Sequence, residues 1–313
     1  MTGTAELSNP GLPDDATPPS IDDLSAFTAE FVSIFISCGG QTGRVVRCAQ
    51  RLGRVFGVGV EMILLSRHAV ITVAALCDAA VYRTKVVPFK HIGLNFSTTF
   101  ALNRLSWEFF DDWLEAARAQ PPDKKSAGPG TAMLMGYCIP EEELVNGRTA
   151  GTERDLARLR TRFYEIVQRP RLPEWLLCVM IGVAGASFCS LFGGDRLAMA
   201  LVFAASQAAF LVRRFMVVSR RMDIRLGFLG ASFTASFLSA VGSWHVPTAT
   251  PEVAVASSIL FLVPGIPLLS AVNDILSGHA LMGISRGVNA AILTLCIAFG
   301  LVVTLMVTGF NVL

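Results

Sequence analysis

The residue types with the most chemistry in this 313-residue chain crowd towards its end. Pro264-Gly265-Ile266-Pro267 interrupts a long apolar run; Ser270, Asn273 and Asp274 follow it, and Arg286 and Asn289 open the next apolar run. Each proline lacks an amide proton and clashes with the carbonyl four residues back, so a helix cannot pass through unbroken. Hydrocarbon offers no water to an open backbone group, so such a break survives only against protein or an aqueous hollow. Two half-helices follow, and the amides that open the second would attract a carboxylate. The competing reading is a structural kink satisfied by neighbouring helices. Asp274 is read as a proton acceptor, and Arg286 as its ion-pair partner or as a ligand for an anion. Asn289, one turn beyond Arg286 on the same face, is a secondary contact. Ionisable residues in apolar spans are functional suspects, although near an interface capping and topology are equally common roles.

The elements that must hold these residues are membrane helices. The chain is 52% hydrophobic and 16% charged with mean hydropathy +0.54, whereas soluble proteins carry about 25% charged residues. Of 26 Lys and Arg, 19 precede Leu172, as do 19 of 24 Asp and Glu, and no lysine follows Lys125. The reading is therefore an α-helical polytopic membrane protein with an N-terminal cytoplasmic α+β domain. Residues 1–20 are a disordered tail, 21–168 the α+β domain with a mobile insertion at 120–151, and 169–313 the membrane domain. Five transmembrane spans are expected near 172–192, 195–218, 226–244, 253–272 and 287–310, each close to the roughly 20 residues that cross a bilayer.

Loop charges give the orientation. Arg213, Arg214, Arg220, Arg221 and Arg225 face a single acid, Asp223, whereas His245–Glu252 has no Lys or Arg. The positive-inside rule puts the arginine-rich loop and the N-terminus in the cytoplasm and the C-terminus outside. The same arginines are expected to meet anionic lipid. In the front domain, Asp22–Phe56 reads as helix interrupted at Gly39-Gly40, Val60–Leu65 and Ala69–Val73 as a hairpin, and Arg83–Lys90 as a third strand. Asn95–Ala119 and Thr152–Gln168 read as helices, the second stopped by Pro170 and Pro173.

Other chemistries find little support. The Gly39–Arg44 block lacks the Gly-Lys-Ser/Thr ending of a phosphate loop and reads as a kink or packing feature. Seven cysteines form no C-x-x-C pair, four histidines have no ligand spacing, and no Gly-x-Ser-x-Gly elbow occurs. No cofactor, metal or catalytic residue is expected, and a net charge of +2 argues against nucleic acid.

Several blocks together resemble the bacterial threonine/serine exporter family: Gly39-Gly-Gln-Thr-Gly-Arg44 through Ile63, Asn95 with Asn103-Arg-Leu-Ser106, Phe192-Gly-Gly-Asp195, and above all Val263-Pro-Gly-Ile-Pro267 with Asn273-Asp-Ile-Leu-Ser-Gly278, Gly283 and Arg286. The resemblance covers about residues 25–310 apart from the insertion. It implies a soluble domain and five spans, followed in long members by a second membrane half that many bacteria encode separately. This chain is similar to the larger subunit of that split type, which implies a smaller membrane subunit as partner; association with copies of itself is also open. The implied function is secondary export of small hydrophilic acids, threonine- or serine-like amino acids or a dicarboxylate such as succinate, across the inner membrane. The alternatives are a membrane-tethered hydrolase-like domain and a ligand-sensing or assembly protein that transports nothing.

Overall fold

The structure, a computed structural model, describes residues 17–76, 80–89, 95–119, 151–170 and 172–309. The expected tail (1–16 of it) and nearly all of the expected insertion (120–150) lie outside the described residues. The chain divides into two compact units, Met1–Arg169 with Asp274–Met282, and Pro170–Asn273 with Gly283–Leu313.

In the first unit, α1 (Ile21–Ser37) starts at Ser20, whose hydroxyl accepts the Asp23 amide at 3.1 Å. Gly39, at φ 93°, turns the chain into α2 (Thr42–Val55) through a conformation that other residues enter at a cost. Three strands follow, β1 (Val58–Leu64), β2 (His68–Ala75) and β3 (Tyr82–Pro88), in an antiparallel sheet of order β1-β2-β3. The β1–β2 pairing sets Val58 opposite Ala75 and Leu64 opposite Ala69. Alternation does the sorting: Val58, Val60, Ala69, Ile71 and Val73 are buried, whereas Ile63 and Val86 remain exposed. Helices α3 (Phe96–Ala119) and α4 (Glu153–Val167) complete the unit, α4 being opened by a reciprocal cap between Thr152 and Asp155. Phe27, Phe31, Phe35 and Phe163 form the centre of the core, with ring centroids 5.6 Å apart for Phe27–Phe163 and 5.8 Å for Phe31–Phe163. Met282, from far along the chain, is buried in the same core.

The second unit is a helical bundle. It contains α5 (Glu174–Leu191), α6 (Arg196–Arg214) ending in a π-turn at Phe215–Ser219, and α7 (Ile224–His245). Then come α8 (Pro251–Ser258), a 3₁₀ turn at Leu260–Leu262, α9 (Gly265–Leu276) and α10 (Ala280–Thr308), except that the stretch Asp274–Met282 belongs to the first unit. Among the described residues four helices are long and apolar enough to span a membrane, and the pair Pro251–Leu262 and Gly265–Leu276, bent by 54°, makes a fifth if it counts as one span. The chain is thus a mostly helical polytopic membrane protein with a small mixed N-terminal unit. The last helix begins at Ala280, seven residues before the expected 287, because Arg286 sits within it and does not mark its start.

Close approach and hydroxyls hold the bundle. A Cβ at Gly300 of α10 would stand 2.8 Å from the Leu229 carbonyl of α7, so only glycine admits that crossing. Beside it Ser232 donates to the Ile297 carbonyl at 2.6 Å, and Ser236 and Thr304 share a hydrogen bond at 2.7 Å.

Candidate functional site

The break in the fourth apolar run lies where the prolines dictate. Val263 is extended at φ −56°, ψ 123°, as the residue before a proline prefers. The Gly265 amide turns back to the Val263 carbonyl at 2.8 Å, and regular helix resumes with Leu268 donating to Pro264 at 3.1 Å. Pro264 caps α9 and Pro267 lies in its first turn, where amides have no helical acceptor and proline costs least. The segment before the break is packed into the bundle: Leu262, 2% exposed, joins Ala209, Phe228, Ala231, Ala235 and Ile297 from three other helices. Pro264 and Ser270 are buried, Pro267 and Asn273 half-buried, and Gly265 exposed. Gly287 of α10 packs near Ala271 of α9, a Cβ there standing 3.7 Å from the alanine methyl. Arg286 on α10 is half-buried, while Asn289 is exposed and returns its amide to the Ser285 carbonyl of its own helix at 2.9 Å.

Asp274 belongs to the first unit and is 1% exposed. Its two carboxylate oxygens accept the Thr42 amide at 3.1 Å and the Thr42 hydroxyl at 2.9 Å, so a carboxylate sits at the positive end of α2. Its own carbonyl accepts the His279 amide at 2.8 Å. Thr42 is the residue that reading along the sequence missed. The only signal was its place in a Gly-rich block at a helix start, and nothing local pairs it with a residue 232 positions away. The Asn103–Ser106 block also meets α2: the Cys48 thiol lies 3.2 Å from Asn103 Oδ1, and Arg51 donates to the Ser106 hydroxyl at 2.7 Å while stacking 3.5 Å over Trp107. Burial lowers the Arg51 pKa from its usual range.

The Asp195 block also has a defined place. Asp195 caps α6 through the Ala198 amide at 3.1 Å and accepts the Thr248 and Thr250 hydroxyls at 2.6 and 3.2 Å, joining the α5–α6 and α7–α8 turns at one end of the bundle. The Thr248 hydroxyl, opposed by burial and helped by the Ala198 amide and the Thr250 hydroxyl, holds its carboxyl below the ordinary range. A depressed folded pKa contributes stability above the unfolded value of about 3.9 and loses it as pH falls through the lower folded value. Asp195→Asn is therefore expected to flatten the acid limb of the thermal-stability profile, read as Tm across about pH 3 to pH 7.

A groove of about 370 Å³ between the start of α5 and the end of α6 is lined by Trp175, Cys178, Val179, Phe210 and Leu211, with the Glu174–Arg214 ion pair at its edge. No residue of the break lines it. Arg213 stacks on Phe210 and Phe228, at 5.6 and 5.3 Å, and Arg220, Arg221 and Arg225 are exposed. Among the described residues no group of His, Cys, Asp or Glu is arranged to hold a metal.

Comparison with known proteins decides the family. A family profile described as "Putative threonine/serine exporter" matches residues 142–308, just over half of the chain. The chain belongs to that family. Its matched region covers α4 to α10, including the break, the Asp195 turn and Asp274. The "Probable succinate transporter subunit YjjP" of Escherichia coli (strain K12) is 35% identical over 159 residues, covering 50% of this chain and 61% of that protein. The protein of the same description from Klebsiella aerogenes is 35% identical over 143 residues, covering 45% of this chain and 55% of its own length. The chain thus spans under two thirds of the curated relatives it matches. No solved structure matches. A transporter-family protein with these helices is a multi-pass membrane protein, and nothing in the comparisons points to catalysis.

Proposed function

We propose that the chain is the larger subunit of a secondary exporter for small hydrophilic acids, working with a separately encoded smaller membrane subunit in the bacterial inner membrane. The N-terminus is cytoplasmic and the C-terminus lies on the far side. The cargo is a threonine- or serine-like amino acid or a dicarboxylate such as succinate. The observation that carries this reading is the 54° break between Leu262, packed into the bundle, and Gly265. A transporter-family chain that interrupts a span at Pro264-Gly265-Ile266-Pro267 presents backbone dipoles where a continuous helix would present none, and a half-helix N-terminus suits a carboxylate. Pro264, Gly265, Pro267 and Ser270 would form the binding side, Asn273, Asp274, Arg286 and Asn289 the gating side. Arg213, Arg214, Arg220, Arg221 and Arg225 would meet anionic lipid, the last three being the most accessible.

The test is counterflow of labelled threonine, serine and succinate in proteoliposomes carrying both subunits. Asp274→Asn with Arg286→Gln is expected to lower flux of the transported solute by about ten-fold or more. Unchanged flux in that double variant would remove both residues from the site.

A further inference from the structure

The first turn of α2 lacks the cap that helices ordinarily take from their own sequence. Gln41 occupies the cap position and its side chain makes no bond to the turn. The Thr42 amide and hydroxyl are instead satisfied by Asp274, from the last turns of α9. Thr42 is 0% exposed and Asp274 1%, so this is a dry, charge-assisted pair of bonds of the stronger kind. A serine or aspartate at position 41 would cap α2 at no cost in chain topology. A carboxylate brought from 232 residues away fixes something a local cap would not, namely the place of Asp274 itself. Helix α2 is pinned to α3 by Cys48 and Arg51, and at Gly53 an added Cβ would lie 2.8 Å from the Val58 carbonyl of β1. Past the α9–α10 turn, Met282 is buried in the core of the same unit.

We infer that Thr42 is a positioning residue for the Asp274 carboxylate: its two hydrogen bonds fix that side chain and the last turn of α9 that carries it. This rests on the transport reading above, and it assigns the Gly39–Arg44 block a role that neither a phosphate loop nor a simple kink provides. Thr42 is 0% exposed and offers no surface to a solute. A change there should therefore slow turnover and leave apparent affinity alone.

The experiment measures KM and Vmax for whichever of threonine, serine and succinate the wild-type two-subunit complex moves, per folded molecule, together with Tm. Thr42→Val keeps the shape and removes the hydroxyl; Asp274→Glu keeps the charge and displaces it by one methylene. Both are expected to lower Vmax by about ten-fold or more with KM within about two-fold of wild type, while Thr42→Ser stays within about two-fold in Vmax. Wild-type Vmax in Thr42→Val overturns the inference, as does a loss that only follows the amount of folded protein. If Thr42→Val fails to fold, Asp274→Glu decides by the same criteria, and failure of both to fold assigns the pair a purely structural role. A wild-type complex that moves none of the three solutes sinks the transport reading instead.

Discussion

Replacing Pro264, Gly265 and Pro267 together by alanine is expected to lower flux by about a hundred-fold while the protein still accumulates in the membrane. Proline costs a helix interior about 3 kcal/mol relative to alanine and glycine about 1 kcal/mol, so the triple change removes most of what opposes a continuous helix. Alanines at 264 and 267 would regain amides able to reach the carbonyls of Leu260 and Val263, and the run from Pro251 to Leu276 could close into one rod. The helix would lose the exposed dipoles on which the proposed carboxylate binding depends, while its apolar character and hence its insertion would be kept. Flux in reconstituted vesicles, normalised to subunit content, checks the point. Wild-type flux in the triple variant would show that the break bends a span and binds nothing.

The second large effect lies in the N-terminal unit. Phe163→Ala removes the ring that touches both Phe27 and Phe31 at the centre of the aromatic cluster. Emptying such a site costs about 3–5 kcal/mol, out of a stability that for most domains is only about 5–15 kcal/mol. The unit is expected to melt at a clearly lower temperature and to become the first site of proteolysis in detergent. Ile63→Ala, on the sheet's open face where the side chain is 62% exposed, should change stability by less than about 0.5 kcal/mol. Equal effects of the two substitutions would mean that the core is not centred on the phenylalanines.

What could be read from the sequence was what is decided locally. Proline acts on its own turn, so the break at Pro264 and Pro267 was legible without any neighbour. Short apolar runs marked β1 and β2, and Ser66-Arg67-His68 between them marked their turn. Apolar length marked the spans. Helix ends were less legible: α9 runs on to Leu276 and α10 starts at Ala280, since Asn273, Asp274 and Arg286 were read as boundaries and helices at a membrane surface accommodate such residues. Pairings set only by tertiary structure left no trace. Thr42 with Asp274, Ser236 with Thr304 and Asp195 with Thr248 join segments that share no periodicity, and hydroxyls that look like small packing residues turn out to be cross-links.

The contribution of Asp274–Met282 to the first unit bears on how the protein is born. A ribosome delivers α1 to α4 early, yet the carboxylate for Thr42 emerges only in α9, after α5 to α8, and Met282 later still. The unit that holds α1 to α4 thus waits, with a gap in its core and an uncapped helix, for a peptide translated roughly a hundred residues later. Maturation of that unit is therefore tied to completion of the helices synthesised in between, and a nascent chain stalled before Asp274 would carry an unfinished front end.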